Sequence, residues 1–276
     1  MKKSLSILLA AALTIGLAGC GAKNNSEAAN TGAASSGAEK KVIKVGATPV
    51  PHKEILEAAV PLLEKKGYKL EIKEFTDYVQ PNLAVNDGEL DANFFQHVPY
   101  LQNMNKEKNL NLDYTVKVHI EPMGVYSHKI KDIKELKEGA TIAVPNDATN
   151  EARALRVLET AGLIKLKSGD LVTALDITDN TKKIKIKELE AAQLPRTLDD
   201  VDAAVINTNY ALEAKLNPSK DALAIESKDS PYANVLAVRK QDKDKDSIKA
   251  LSEVLNSPEI KKFIEDKYNG SIVPAF

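Results

Sequence analysis

At 276 residues, 43% of them apolar and 28% charged, the chain is long enough for two lobes with cores of their own. Its net charge of −1 shows no basic excess of the kind nucleic-acid binding needs, and its single cysteine excludes a disulfide framework or a cysteine metal cluster. Aromatic residues make up only 5%, with no Trp, so any local gathering of rings is informative.

The chain opens MKKSLSILLAAALTIGLAGC. Lys2 and Lys3 precede an apolar and small-residue run over 5–18. That run is shorter than the roughly 20 residues of a membrane-spanning helix and fits the h-region of a secretory signal peptide. It ends in Leu17-Ala18-Gly19-Cys20, which resembles the lipobox of bacterial lipoproteins. The resemblance implies a signal peptide over 1–19, cleavage before Cys20 and acylation of its thiol, palmitate included. Residues 20–40 are mostly Gly, Ala, Ser and Asn and cannot bury enough apolar surface to order themselves. They read as a tether spanning about 25 Å between a lipid anchor and a folded body. Without Lys2 and Lys3 the chain has 36 basic and 39 acidic residues, a net charge of −3.

From residue 41 onward, strands and helices alternate. VIKVGAT over 42–48 predicts a buried strand. Ile55, Leu56, Ala59, Leu62 and Leu63 predict a helix over 52–66, with a kink or restart at Pro61 and an end at Gly67. Tyr68, Leu70 and Ile72 alternate as a strand. A helix over 81–87 and a strand over 90–94 follow. TIAV over 141–144 is a strand, 151–161 a helix, AAVI over 203–206 a strand, 234–239 a strand, and 248–268 mostly helix. This order predicts an α/β protein of two lobes, a periplasmic-binding-protein-like fold of type II with a ligand cleft between the lobes. Crossings are expected near 121–125 and 230–233. Lobe 1 would comprise 41–122 and 231–276, and lobe 2 would comprise 123–230.

Ligands in open α/β sheets sit beyond the carboxyl ends of the strands. After TIAV comes Asn146-Asp147-Ala148-Thr149-Asn150, then Arg153 in the expected first helical turn. A cation there opposes the helix dipole unless it shares an anion with the helix start. Arg153 therefore either grips a carboxylate or pairs with a nearby acid such as Glu151 or Asp147. Asn207, Asn209 and Asn234 follow other strands. They serve either local turn chemistry or a zwitterion, since each amide offers a donor and an acceptor. NFFQHVPYL over 93–101 gathers Phe94, Phe95, His97 and Tyr100, and Tyr78 follows another strand. Phe94 is in phase with Leu90 and Ala92 and belongs to the core. The other rings either pack the lobe or line a slot for an apolar side chain, to which a sulfur atom would add thioether–ring contacts.

Taken together, VGATPVPHKEIL, DYVQPN, GELDANFFQHVPYL, AVPNDATNEARALRVLETAGLIKL, ELEAAQLPRTLDDVDAAVINTNYA and SPYANVLAVR resemble the methionine-binding lipoproteins of ABC importers, the NlpA type. The resemblance covers essentially all of 41–276 and the lipobox. It implies a receptor that binds methionine, most naturally the L isomer, and delivers it to a membrane permease and, through that, to its ATPase. By resemblance Arg153 and Asn150 hold the carboxylate, and Asn207 and Asn234 complete the amino-acid grip. Tyr78, Phe95, His97 and Tyr100 surround the side chain, with His119 close by. No cofactor, no metal and no catalytic residue is implied, and the protein would sit lipid-anchored on the extracytoplasmic face of the cell membrane. The alternative ligands are another amino acid, a short peptide or a divalent metal. A zinc or manganese site needs three or four converging ligands, and His52, His97, His119 and His128 lie far apart in sequence. An enzyme would use His97, His119 and Glu121 for acid–base work, but the chain has no nucleophile elbow, HExxH or phosphate loop. A surface adhesin with no ligand is the remaining reading.

Overall fold

A computed structural model of the chain describes residues 41–276. The expected signal peptide, the acylation site Cys20 and the tether lie outside the described residues. No described helix is long and apolar enough to cross a membrane.

The first sheet is built from β1 (Lys41–Ala47), β2 (Tyr68–Glu74), β3 (Ala92–His97), β4 (Leu112–Ile120), β12 (Ala233–Arg239) and β13 (Val273–Pro274), in the order β13-β4-β12-β3-β1-β2. β1 runs parallel to β2 and β3, and β12 runs antiparallel to β3 and β4. The second sheet contains β5 (Gly124–Tyr126), β6 (Thr141–Pro145), β9 (Lys185–Leu189), β10 (Ala203–Ile206) and β11 (Ala224–Ile225), in the order β11-β5-β10-β6-β9. β7 (Lys165–Leu166) and β8 (Ile177–Asp179) pair as a small hairpin. The chain passes from the first sheet to the second between Ile120 and Gly124 and returns between Ile225 and Ala233. At the first crossing, a Cβ on Gly124 would lie 2.9 Å from the Tyr126 ring, so a larger residue there would have to displace that ring.

Helices cover both sheets. In the first lobe, α1 (Glu54–Lys65), α7 (Asp246–Leu255) and α8 (Pro258–Tyr268) bury Ile55, Leu56, Leu63, Leu251, Leu255 and Ile264 against Ile43, Val45 and Phe94. α2 (Gln80–Asn86) and α3 (Val98–Lys108) pack on the opposite face, with Val85 and Leu101 against Val235 and Ala237. The alternation along β10 serves two cores. Ala203 and Val205 meet Leu155 and Leu158 of α4 (Ala148–Thr160), while Ala204 and Ile206 meet Leu194 and Tyr210. Tyr210 belongs to α5 (Thr208–Glu213), and α6 (Pro218–Asp221) follows it. Each large apolar side chain fully removed from water in these cores contributes about 1.5–3 kcal/mol before entropy is counted.

The structure refines three of the expected elements. α1 runs through Pro61 without a restart. Pro61 and Glu57 are both exposed, so water can satisfy the carbonyl that loses its partner. The stretch over 248–268 is two helices, divided where Pro258 disfavours helical backbone at Ser257, whose side chain caps α8 through the Ile260 N–H at 3.3 Å. β3 begins at Ala92 rather than Leu90 and continues through His97. Phe95 and His97 therefore belong to the strand itself and not to the residues just past it.

Candidate functional site

Sheet register sets the first wall of the cleft. Asn234, near the start of β12, lies between His97 of β3 and His119 of β4. Register shifts follow it, between Asn234 and Ala237, and re-aim side chains where the strands end. α3 starts at Val98 with His97 as its N-cap, its Nδ1 accepting the Tyr100 N–H at 3.2 Å. That bond puts the imidazole and the Tyr100 ring side by side. Tyr78, between β2 and α2, completes a cluster with Phe95 and Tyr100, with ring centroids 5.8–6.0 Å apart.

The second wall comes from α4 and from the junction of β10 and α5. α4 begins at Ala148, three residues earlier than the apolar pattern suggests, so Arg153 lies in its second turn. Asp147 caps the helix itself, accepting from the Asn150 N–H at 3.0 Å. The anion expected at that helix start is thus supplied by the chain. Asn150 gives its amide hydrogens to Asp147 at 2.9 and 3.0 Å. Its Oδ1 accepts from His97 Nε2 at 3.2 Å and from Asn207 Nδ2 at 2.9 Å. Asn150 therefore joins the two walls, and its side chain is already engaged.

Arg153 pairs with neither Glu151 nor Asp147. Its Nε and Nη2 meet the Glu226 carboxylate at 3.0 and 2.6 Å, and Nη2 also donates to the Glu121 carbonyl at 2.6 Å. The guanidinium lies 4.4 Å from the Tyr232 ring centroid, within cation–π range. Nη1 has no hydrogen-bond partner among the described residues.

These walls face one another across a small shared cavity. Tyr78, Phe95, His97, Tyr100, Asn150, Arg153, Asn207 and Asn234 line it, so the fold brings eight of the nine expected ligand residues together. His119 is absent from the lining. It is fully buried and touches the cavity only through Glu121, whose Oε1 it reaches at 2.7 Å. Sequence reasoning named Glu121 only as an acid–base candidate and left Gln96 and Thr208 unnamed, yet all three line the cavity, as does Asn209.

Two buried polar atoms of the lining lack partners, the Asn207 Oδ1 acceptor and the Asn209 Nδ2 donor. Glu121 Oε2 and Asn234 Nδ2 also make no hydrogen bond to described residues. The cavity thus offers acceptors and donors together, beside rings. Burial would raise the Glu121 pKa, but its interactions with His52 and His119 outweigh that and hold the carboxyl well below its usual range. His52, His119 and Glu121 place ligand atoms within 4.8 Å of one another, although the two histidines are distant in sequence. Their separations of 2.7 and 3.0 Å are those of N–H···O hydrogen bonds. Two ligands of one tetrahedral zinc would stand about 3.3 Å apart for bonds near 2.0 Å.

Burial, then the nearby Arg153 charge, pushes His97 down to about 3. It stays neutral, with Nδ1 accepting and Nε2 donating. The unfolded chain binds a proton at His97 below about 6.5 that the folded chain refuses, so this residue destabilises the fold as pH falls from 6.5 toward 3. Thermal unfolding of ligand-free protein against pH is expected to show that decline, with a shallower slope in His97→Gln. An unchanged slope in the variant would count against it.

Beyond the cavity, Tyr210 of the second lobe stacks on Tyr78 of the first, with centroids 5.0 Å apart, and donates to the Thr76 carbonyl at 3.0 Å. Tyr78 donates back to Asn209 Oδ1 at 2.6 Å. Tyr210→Phe is expected to weaken ligand affinity about 2- to 10-fold by removing one hydrogen bond of the closed form. A dissociation rate equal to wild type would refute this.

Two α/β lobes joined by paired crossings and closed on a polar cavity define a two-lobed solute-binding protein. The NlpA lipoprotein family model matches residues 43–276. The chain is 44% identical to the methionine-binding lipoprotein MetQ of Bacillus subtilis, over 94% of this chain and 93% of that protein. It is 41% identical to the D-methionine-binding lipoprotein MetQ of Salmonella typhi, over 84% and 87% of the two chains. It is also similar to the structure of a nutrient binding protein from Burkholderia cenocepacia bound to methionine, with 51% identity, a TM-score of 0.83, and coverage of 85% of this chain and 100% of that one. The chain belongs to the NlpA lipoprotein family.

Proposed function

We propose that this protein is the solute-binding lipoprotein of an ABC amino-acid importer, a non-catalytic receptor that closes on free methionine and presents it to the permease. The observation that carries this reading is the set of unpartnered polar atoms beside a ring cluster in one interlobe cavity. Arg153 Nη1 and the Asn234 and Asn209 amide hydrogens suit a carboxylate. Glu121 Oε2 and Asn207 Oδ1 suit an ammonium. Tyr78, Phe95 and Tyr100 suit a thioether, whose contacts with a ring are worth about 0.3–1.5 kcal/mol each. Asn150 then serves as the strut that orients Asn207 rather than as a direct carboxylate donor. The relatives named for methionine support the same ligand. The lipobox-like LAGC supports anchoring through acylated Cys20 on the extracytoplasmic face.

Denaturing the purified protein releases any retained ligand for chiral chromatography and mass spectrometry. Methionine at about one per chain is the expected species. A dipeptide or a different amino acid, with no methionine, would overturn the ligand assignment.

A further inference from the structure

Behind the cavity wall lies a residue that touches no lining space and yet meets two lining side chains. His52 sits in the short turn Pro49–Lys53 and is 1% exposed. Its Nδ1 is 2.7 Å from the Thr48 hydroxyl. Its Nε2 is 3.0 Å from Glu121 Oε1 and 3.1 Å from Asn234 Oδ1. The Phe94 ring packs edge-on against it at 4.8 Å and the His119 ring stands 5.0 Å away, so the imidazole has little freedom to turn.

We propose that His52 is a positioning residue that sets the donor–acceptor polarity of the ligand cavity through Glu121 and Asn234. This rests on the methionine reading given above. Nε2 faces the Glu121 carboxylate, which can only accept, so the imidazole hydrogen sits on Nε2 and Nδ1 accepts from the Thr48 hydroxyl. That one N–H is shared between two acceptors. By occupying Asn234 Oδ1 it fixes the amide so that Nδ2, the donor end, is the end left for the ligand. By occupying Glu121 Oε1 it fixes the carboxylate so that Oε2 is left for an ammonium. With the N–H gone, the Asn234 amide is free to present either end, and Glu121 keeps only its bond from His119.

His52 also acts on the charge of Glu121. The groups facing that carboxylate are His52 from the turn, His119 from β4, Arg153 from α4 at its carbonyl, and His97 from β3. Tyr78, Glu213 of α5 and Tyr268 of α8 also face it. Of these, His52 and His119 are the ones that lower the Glu121 pKa, so removing one lets it rise. Ammonium binding, which needs the anion, then fails at a higher pH than in the wild type.

The test is calorimetric titration with L-methionine across pH for wild type, His52→Phe, His52→Gln and Thr48→Val, with thermal unfolding of each ligand-free protein. His52→Phe is expected to bind about tenfold or more weakly near neutral pH. Its acid limb should move to higher pH. His52→Gln keeps a donor N–H and should recover part of the affinity. Thr48→Val keeps its shape but frees the tautomer, and should shift in the same direction by less. If His52→Phe does not fold, Thr48→Val decides, and wild-type affinity and pH profile in it would overturn the proposal. Equal losses in both His52 variants with an unshifted acid limb would mean packing alone and would also overturn it. Absence of heat in the wild type itself would instead overturn the methionine reading, and this proposal with it.

Discussion

Replacing Arg153 with alanine is expected to weaken methionine binding at least about 30-fold and, in the stronger case, more than 1,000-fold. The guanidinium is the only cation among the cavity-lining residues, since His97 is held neutral. It is 3% exposed, so its charge acts through protein rather than water. Truncating one member of a buried, hydrogen-bonded charge pair costs about 2–5 kcal/mol, which is the range given above. Two losses combine here. The ligand carboxylate loses Nη1, and Glu226 loses the partner it holds at 2.6 Å. Glu226 is 12% exposed, so water recovers part of the second loss, and ligand affinity should fall more than ligand-free stability. Arg153→Lys keeps the charge but cannot bridge Glu226, the Glu121 carbonyl and a ligand together, and should fall between alanine and wild type. Titration and thermal unfolding of the three proteins check this. Binding in Arg153→Ala within a few-fold of wild type would mean the carboxylate lies elsewhere.

The second large effect is expected from Glu121→Gln, about 10- to 150-fold weaker binding, the worth of a hydrogen bond to a charged group. The amide still accepts from His52 and His119 through its oxygen, so the cluster behind the wall persists. What changes is the atom facing the ammonium, where an acceptor anion becomes an NH₂ donor. A methionine analogue lacking the amino group separates this from general damage. In the wild type the analogue should bind far more weakly than methionine, and in Glu121→Gln that gap should shrink. A gap of unchanged size in the variant would remove Glu121 from the ammonium site.

Much of the fold is legible in local pattern. The strands over 41–47, 141–145 and 203–206 are short apolar runs, and helices such as α4 carry apolar residues at helical spacing. β4 is legible too, since Leu112, Tyr114, Val116 and Val118 alternate with polar residues. Boundaries were less secure where capping decides them. Asp147 starts α4 three residues before its apolar face does. For the site, residues directly after strands were found because strand ends converge on a cleft. The partners that give those residues their roles were not. Glu226 meets Arg153 across 73 residues of sequence, and His52 meets Asn234 across 182. No periodicity or spacing links such positions. Glu121 falls in a crossing between sheets, where the sequence shows only a lone acid, and its significance comes from the two imidazoles that the first sheet and its neighbouring turn bring to it.

Calorimetric titration of ligand-stripped protein with L-methionine tests the central claim most directly. The expected result is saturable one-to-one binding with a negative heat-capacity change, as a thioether side chain leaves water for the Tyr78, Phe95 and Tyr100 cluster. No heat with L-methionine, together with saturable binding of a dipeptide, another amino acid or a divalent metal, would contradict it.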